Sequence, residues 1–407
     1  MLRKIISQSN SSLEIFEPYN EFYIDTDGNG SEFKTIDPFF TFMVGYNNEF
    51  WYFVSQRDGG VPNNRATQIY KVNSSLVIVQ EYTLPLDASI TSSFDVHPIA
   101  TINFDSNNNQ YVLREKGKNS TTNSNGHNTD WVLHKTTVAG DLTSLAIVNT
   151  ISGFYSYPML WVDGDGTDIF IAGRGTSVAN QRILNMSISD DGGTTFNSYD
   201  VFNTNDTNVR SYQHIIHSTS TAEKIVGFNL RDDTNAGKIG VHLIKSSDGI
   251  NWSNISDTFT KNVDTSGTIS KAELDANCAI WLRASTDYNI NFEGGVKKDG
   301  VVRVLISRSL LDDVVIDGNT YQTYKELRLY KYDGSWSYVD LTSIMPENYV
   351  IWGVQRTVQL SWDDTFDYIT IIDKVSSPEV IRQYKSTNLF QDYTTNRTHL
   401  HPKNISL

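Results

Sequence analysis

The sequence predicts an all-β chain folded as one β-propeller domain over residues 1–407. Strand-and-turn patterning along the whole length, two turns of one repeating kind, and a length that suits repeated four-stranded blades all point there. Short runs rich in Val, Ile, Tyr, Phe and Thr alternate with clusters of Asn, Asp, Gly and Ser, as strands and tight turns do. Such runs are Phe50 to Ser55, Gln68 to Val72, Ser75 to Tyr82, Gln110 to Arg114, Asp168 to Ala172, Val301 to Ser307 and Tyr368 to Ile372. Turns of the kind Asp163-Gly164-Asp165-Gly166 punctuate them, and helical signals are nearly absent.

The repeats select a propeller over a sandwich or barrel. Ser189-Asp190-Asp191-Gly192-Gly193-Thr194-Thr195-Phe196 follows the strand-like Ile183 to Ile188, and Ser246-Ser247-Asp248-Gly249-Ile250-Asn251-Trp252 follows Gly240 to Ile244. Both resemble the Asp-box, or bacterial neuraminidase repeat. In that hairpin an Asp carboxylate accepts backbone N–H groups, a glycine takes positive φ and an aromatic packs beneath. Tyr332-Asp333-Gly334-Ser335-Trp336 is a degenerate third copy. Length favours seven blades, with six or eight also in range. No linker splits the chain, and Glu115 to Asp130 (EKGKNSTTNSNGHNTD) reads as one long hairpin loop.

The formal net charge is −14, from 33 Lys and Arg against 47 Asp and Glu, which argues against a nucleic-acid partner. One cysteine, Cys278, excludes an intramolecular disulfide. No run approaches the roughly 20 apolar residues of a membrane span, so no membrane partner is expected. The first residues lack a full signal-peptide pattern. The expected location is extracellular or virion-associated without a classical signal peptide, with the cytoplasm left open. No P-loop, dinucleotide fingerprint, zinc spacing or nucleophile elbow occurs, and neither metal nor cofactor is expected.

Residues suited to chemistry gather in the middle third. His97 lies in Phe94-Asp95-Val96-His97-Pro98, His127 in Gly126-His127-Asn128, and Tyr157 in Tyr155-Ser156-Tyr157-Pro158. Arg174 lies in Ala172-Gly173-Arg174-Gly175 and Tyr212 in Arg210-Ser211-Tyr212-Gln213. Each falls at a strand end, where a propeller aims side chains into its central funnel. His134, His214, His217 and His242 read as structural, and His399 and His401 as exposed.

The order D-x-H, G-H-N, Y-x-P, Arg and a further Tyr resembles the propeller polysaccharide lyases that cleave ulvan, over roughly residues 90 to 255. That resemblance implies β-elimination on a uronate-containing anionic polysaccharide. Arg174 would neutralise the sugar carboxylate, because developing enolate charge needs a fixed cation. His97 or His127 would take the C5 proton, and Tyr157 would donate to the departing oxygen or act as base. Tyr212, Arg114 and Lys116 would bind substrate. The competing expectation is a non-catalytic propeller that binds glycans or a receptor, such as a phage tail or fibre component; a phage depolymerase would satisfy both. Assembly in a virion or as a homo-oligomer is left open. A sialidase ranks below these, since no R-I-P motif or arginine triad stands out.

Overall fold

The computed structural model describes residues 100–342 except 116–129, 153, 177–181, 207, 219–222, 233, 235–236, 286–287, 311–313 and 317–318. It also describes the strands within 20–23, 37–46, 50–57, 66–73, 78–84, 350–351, 358–362, 367–373 and 380–386. For part of these strand residues the description is of backbone alone.

The strands form antiparallel four-stranded meanders, as the dense strand-and-turn pattern predicts. Blade 1 holds Asp37–Tyr46, Phe50–Arg57, Ala66–Asn73 and Ile78–Leu84, and blade 2 holds Ala100–Phe104, Gln110–Glu115, Trp131–Thr136 and Leu145–Ile151. Blade 3 holds Phe154–Val162, Ile169–Thr176, Arg182–Ser189 and Asn197–Asn203. Blade 4 holds Val209–Ser218, Lys224–Asp232, Gly237–Ser246 and Asn251–Ser253, and blade 5 holds Tyr288–Lys298, Val301–Leu310, Asn319–Tyr332 and Trp336–Asp340. Blade 6 joins Val358–Trp362, Asp367–Asp373 and Val380–Ser386 to Asn20–Tyr23, which pairs with Val380–Ser386. The two ends of the chain therefore complete one sheet.

Each blade's first strand contacts the first strand of the next, and that of blade 6 contacts that of blade 1. The ring closes on itself, which defines a propeller. Among the described residues the strands sort into six blades, within the range of six to eight that length allows. After its fourth strand blade 4 is followed by Thr260–Asn262 and Ala279–Leu282, which pair within blade 4, by Ile269–Ser270, which pairs in parallel with Asn197–Asn203 of blade 3, and by the helix Lys271–Asn277. That helix was missed in the sequence, although Ser270 and Glu273 form the reciprocal capping box that Ser-x-x-Glu announces.

Blades pack on neighbours through both faces, so strands read as continuous apolar runs instead of alternating ones. In Lys224–Asp232 every residue from Lys224 to Leu230 is buried. Val226, Phe228 and Leu230 pack with blade 3, while the intervening Ile225 packs with blade 5. Phe170 and Ala172 likewise face blade 4, and Ile169 and Ile171 face blade 2. A lower seam adds an ion pair, Lys224 Nζ donating to Asp163 Oδ2 at 2.9 Å with the ammonium 3.5 Å from the Phe170 ring centroid.

The Asp-box turns lie between third and fourth strands, at the outer edge of blades 3, 4 and 5. Asp191 Oδ1 accepts the backbone N–H groups of Thr194 and Thr195 at 2.9 and 2.8 Å, and Ser189 Oγ accepts that of Gly193 at 2.8 Å. Asp248 Oδ1 does the same for Ile250 and Asn251. Gly249 takes φ 76°, and Trp252 is fully buried beneath, its Nε1 donating to Gly249 O at 2.9 Å.

An arginine-bearing rim as the candidate functional site

Meander geometry sorts the strand ends into two rims. The start of each first strand, the end of each second and the start of each third share one rim, and the Asp-boxes share the other. On the first rim, the second strand of blades 1 to 5 carries an arginine among its last three residues: Arg57, Arg114, Arg174, Arg231 and Arg308. The opposite rim instead has Lys71, Lys135, Lys245 and Lys331 near the ends of third strands. Arginine positions thus recur at one end of a protein whose net charge is −14. They favour planar, bidentate recognition of carboxylates.

Arg174 sits between two glycines for a steric reason. A Cβ on Gly173 would run into the ring of Trp131 from blade 2, and one on Gly175 into Asn185. The glycines let those neighbours close in, while Arg174 projects on the other face toward blade 4. There its guanidinium lies 5.7 Å from the ring centroid of Tyr212, within cation–π range. Arg174 is 2% exposed and Tyr212 8%. Two residues chosen from sequence are thus brought together from adjacent blades, as a desolvated cation held against an aromatic ring.

The remaining predicted residues have other placements. Tyr157 lies in the first strand of blade 3, between register shifts at Ser156 and Met159, where Pro158 cannot donate to the ladder. Its side chain lies outside the described residues, as do His97, His127 and Lys116 entirely. Arg114 is buried at 5% exposure, on the face of Val112, which packs toward blade 1. Burial, and then the charge of Arg114, push the imidazole of His134 down to about 4. His134 is therefore a neutral core residue, as is His242, whose Nε2 lies 2.7 Å from Asp275 Oδ1. Burial pushes the Cys278 thiol up to about 12, so it is not a nucleophile.

Arg231, Arg308 and Lys238 were not selected from sequence. The signal was present as Gln56-Arg57, Leu113-Arg114, Gly173-Arg174, Leu230-Arg231 and Ser307-Arg308, one arginine per repeat. It becomes legible only when second-strand ends are aligned blade by blade.

Closed antiparallel meanders define an all-β propeller, with an arginine position recurring on one rim. No protein-family model matches the chain, and no curated protein matches it. Solved structures with some likeness include the sialidase of Trypanosoma rangeli in complex with sialic acid, at 13% identity and TM-score 0.49. That match covers 94% of this chain and 59% of the sialidase chain, so this chain spans about three-fifths of that protein. The α-L-arabinofuranosidase Arb93A of Fusarium graminearum gives 8% identity and TM-score 0.40, over 70% of this chain and 92% of that one. The α-L-arabinanase of Penicillium chrysogenum gives 8% and 0.36, over 72% and 93%. Likeness at this level decides neither activity nor substrate, and the fold stands on the chain's own strand pairing.

Proposed function

We propose that the protein binds a uronate-containing anionic polysaccharide at its arginine-bearing rim and cleaves it by β-elimination. The observation that carries this reading is the Arg174 guanidinium of blade 3, 5.7 Å from the ring centroid of Tyr212 on the first strand of blade 4. A guanidinium excluded from water and fixed by an aromatic ring is suited to stabilising charge that develops on a sugar carboxylate. In the reaction the C5–H electron pair forms the C4–C5 double bond and the C4–O bond breaks. The proton passes to His97 or His127 while Tyr157 protonates the departing oxygen, or it passes to Tyr157 acting as base, which then hands it to the departing oxygen. Tyr212 positions the ring of the sugar, and Arg114 and Lys116 extend the cationic surface. Among the described residues no cluster of His, Cys, Asp and Glu would hold a metal ion. Work on such a polymer belongs outside a cell or on a virion.

The test is incubation with a panel of uronate polysaccharides, following the ultraviolet absorbance of the unsaturated product. Product from at least one polymer supports the reading. A second reading, a non-catalytic glycan-binding propeller, is favoured by the same fixed setting of Arg174, which would hold a sugar carboxylate equally well with no reaction. Retention of the polysaccharide with no product from any polymer selects it.

A further inference from the structure

The insertion that follows the fourth strand of blade 4 turns back and bridges blades 3 and 4. Ile269–Ser270 pairs in parallel with Asn197–Asn203, the outer strand of blade 3, and Ala279–Leu282 pairs with Gly237–Ser246, the third strand of blade 4. The helix Lys271–Asn277 lies between these two pairings in the chain. Its buried residues enter the core of the seam: Ile269, Leu274 and Cys278 share one cluster with Leu184 and Phe202 of blade 3 and Phe228 and Ile244 of blade 4. Strand register links this brace to the rim. Ile269 is the Cα partner of Phe202, Phe202 of Leu184, and Leu184 of Arg174.

His242 ties the helix to blade 4. It is 0% exposed and shares its strand face with Ile244, the face that packs toward blade 3. Its Nε2 lies 2.7 Å from Asp275 Oδ1 on the helix, and among the described residues its Nδ1 has no hydrogen-bond partner. The neutral ring with its proton on Nε2 fits this setting, since that proton is donated to the carboxylate and Nδ1 keeps only a lone pair. A second proton would sit on Nδ1 with no acceptor and leave an imidazolium in the core. The charged groups near the ring belong to the insertion. Lys271 Nζ donates to Asp275 Oδ2 and already offsets that carboxylate, and Lys261 Nζ donates to both carboxylate oxygens of Glu273 at 2.9 Å. The remaining titratable neighbour is the buried Cys278 thiol. On the adjacent strands the Cα partners of His242 are Phe228 and Ala279, and blade 3 offers Leu184, Met186 and Phe202 to the same core. Burial accordingly pulls the imidazole below its ordinary 6.5, against the opposing pull of Asp275. The Asp275 carboxyl, despite its own desolvation, is held below its ordinary 3.8 by its bonds to His242 and Lys271, so it titrates in a lower range.

We propose that the insertion from Ile269 to Leu282 is an acid-released brace on the seam of blades 3 and 4, with His242 as its trigger. When the helix lifts, the imidazole meets water and takes a proton at its ordinary acidity; when the helix is seated, the ring resists it. The open form thus binds the proton more readily. Closure has its full strength above 6.5 and weakens as pH falls below that value. The insertion opens before the blades do because its helix has seven residues and its two strand pairings join only two and three residue pairs. Its release frees the outer end of the row that begins at Arg174. The device holds whether the rim cleaves a polysaccharide or only binds one.

Cys278 reports the opening, because it is the chain's one cysteine and is 5% exposed at the end of the helix. Its reaction with dithiodipyridine is followed in the full chain as pH is lowered from above 6.5 to below it. Each rate is divided by that of the urea-unfolded chain at the same pH, which cancels the ionisation of an exposed thiol. In the wild type this relative rate is expected to rise by up to about tenfold per pH unit below about 6, as linkage to one proton requires. Hydrogen exchange in Trp131–Thr136 of blade 2 should stay slow, which separates local opening from unfolding of the whole chain. His242→Gln keeps a donor for Asp275 but cannot take the proton, and its relative rate is expected to be flat over the same range. A flat rate in the wild type overturns the brace, and so does a pH dependence that His242→Gln leaves unchanged. Thermal unfolding shows whether His242→Gln is folded. If it is not, ring NMR of His242 in the wild type carries the test: titration below 6.5 supports the brace, and titration at or above 6.5 overturns it.

Discussion

The residues of the rim owe their character to burial. Lys238 is 7% exposed, and desolvation pushes its ammonium down to about 8, with Glu293 opposing and Arg231 adding to the shift. His134 shows the same physics in the core. Its folded pKa is about 4 against an ordinary 6.5, so in that window the unfolded chain binds the proton more readily. The folded state should lose stability as pH falls from 6.5 toward about 4, and His134→Gln should make that acid limb shallower in denaturant unfolding. At Gly173 the constraint is steric. Gly173→Ala must displace the fully buried Trp131, and overpacking of this kind costs about 1–3 kcal/mol, measurable as a lowered melting temperature.

At the scale of strands and turns, the alternation between two neighbouring blades explains which substitutions should matter. Phe228 is fully buried against blade 3, its ring centroid 5.1 Å from that of Phe202. Phe228→Ala should cost about 3–5 kcal/mol by chemical denaturation, since a cavity between blades cannot collapse without moving a whole sheet. The Asp-box turns depend on one carboxylate each. Hydrogen bonds to the Asp191 carboxylate, that of the Thr195 backbone foremost, hold its pKa down to about 2, so the ionised form is the one that fits the turn. The turn's contribution is present above the ordinary 3.8 and is lost as pH falls through about 2. These elements were legible because each turn advertises itself in Ser, Asp, Gly and an aromatic. The helix Lys271–Asn277 is hard to read in the sequence, because its seven residues are too few for an apolar period to stand out and only its capping pair marks it.

For the whole molecule, the propeller was legible from strand density and turn repeats, and the six blades among the described residues fall within the six to eight that length allows. Arg174 and Tyr212 were found as strand-end residues of unusual chemistry, and the fold joins them across a seam. Arg231 and Lys238 escaped because each is unremarkable alone and acquires meaning only through strand register. The closure of the ring by Asn20–Tyr23 makes a further demand. Removal of that strand should expose the edge of Val380–Ser386 and lower the melting temperature, with a rise in aggregation. Function is tested most directly by the release of unsaturated product from uronate polysaccharides by the wild type and by Arg174→Ala, with thermal unfolding to establish that both are folded. The wild type is expected to release product and Arg174→Ala to lose at least about a hundredfold in rate, as when a fixed oxyanion-stabilising group is removed. Turnover by Arg174→Ala at close to the wild-type rate would contradict the role of the rim in catalysis.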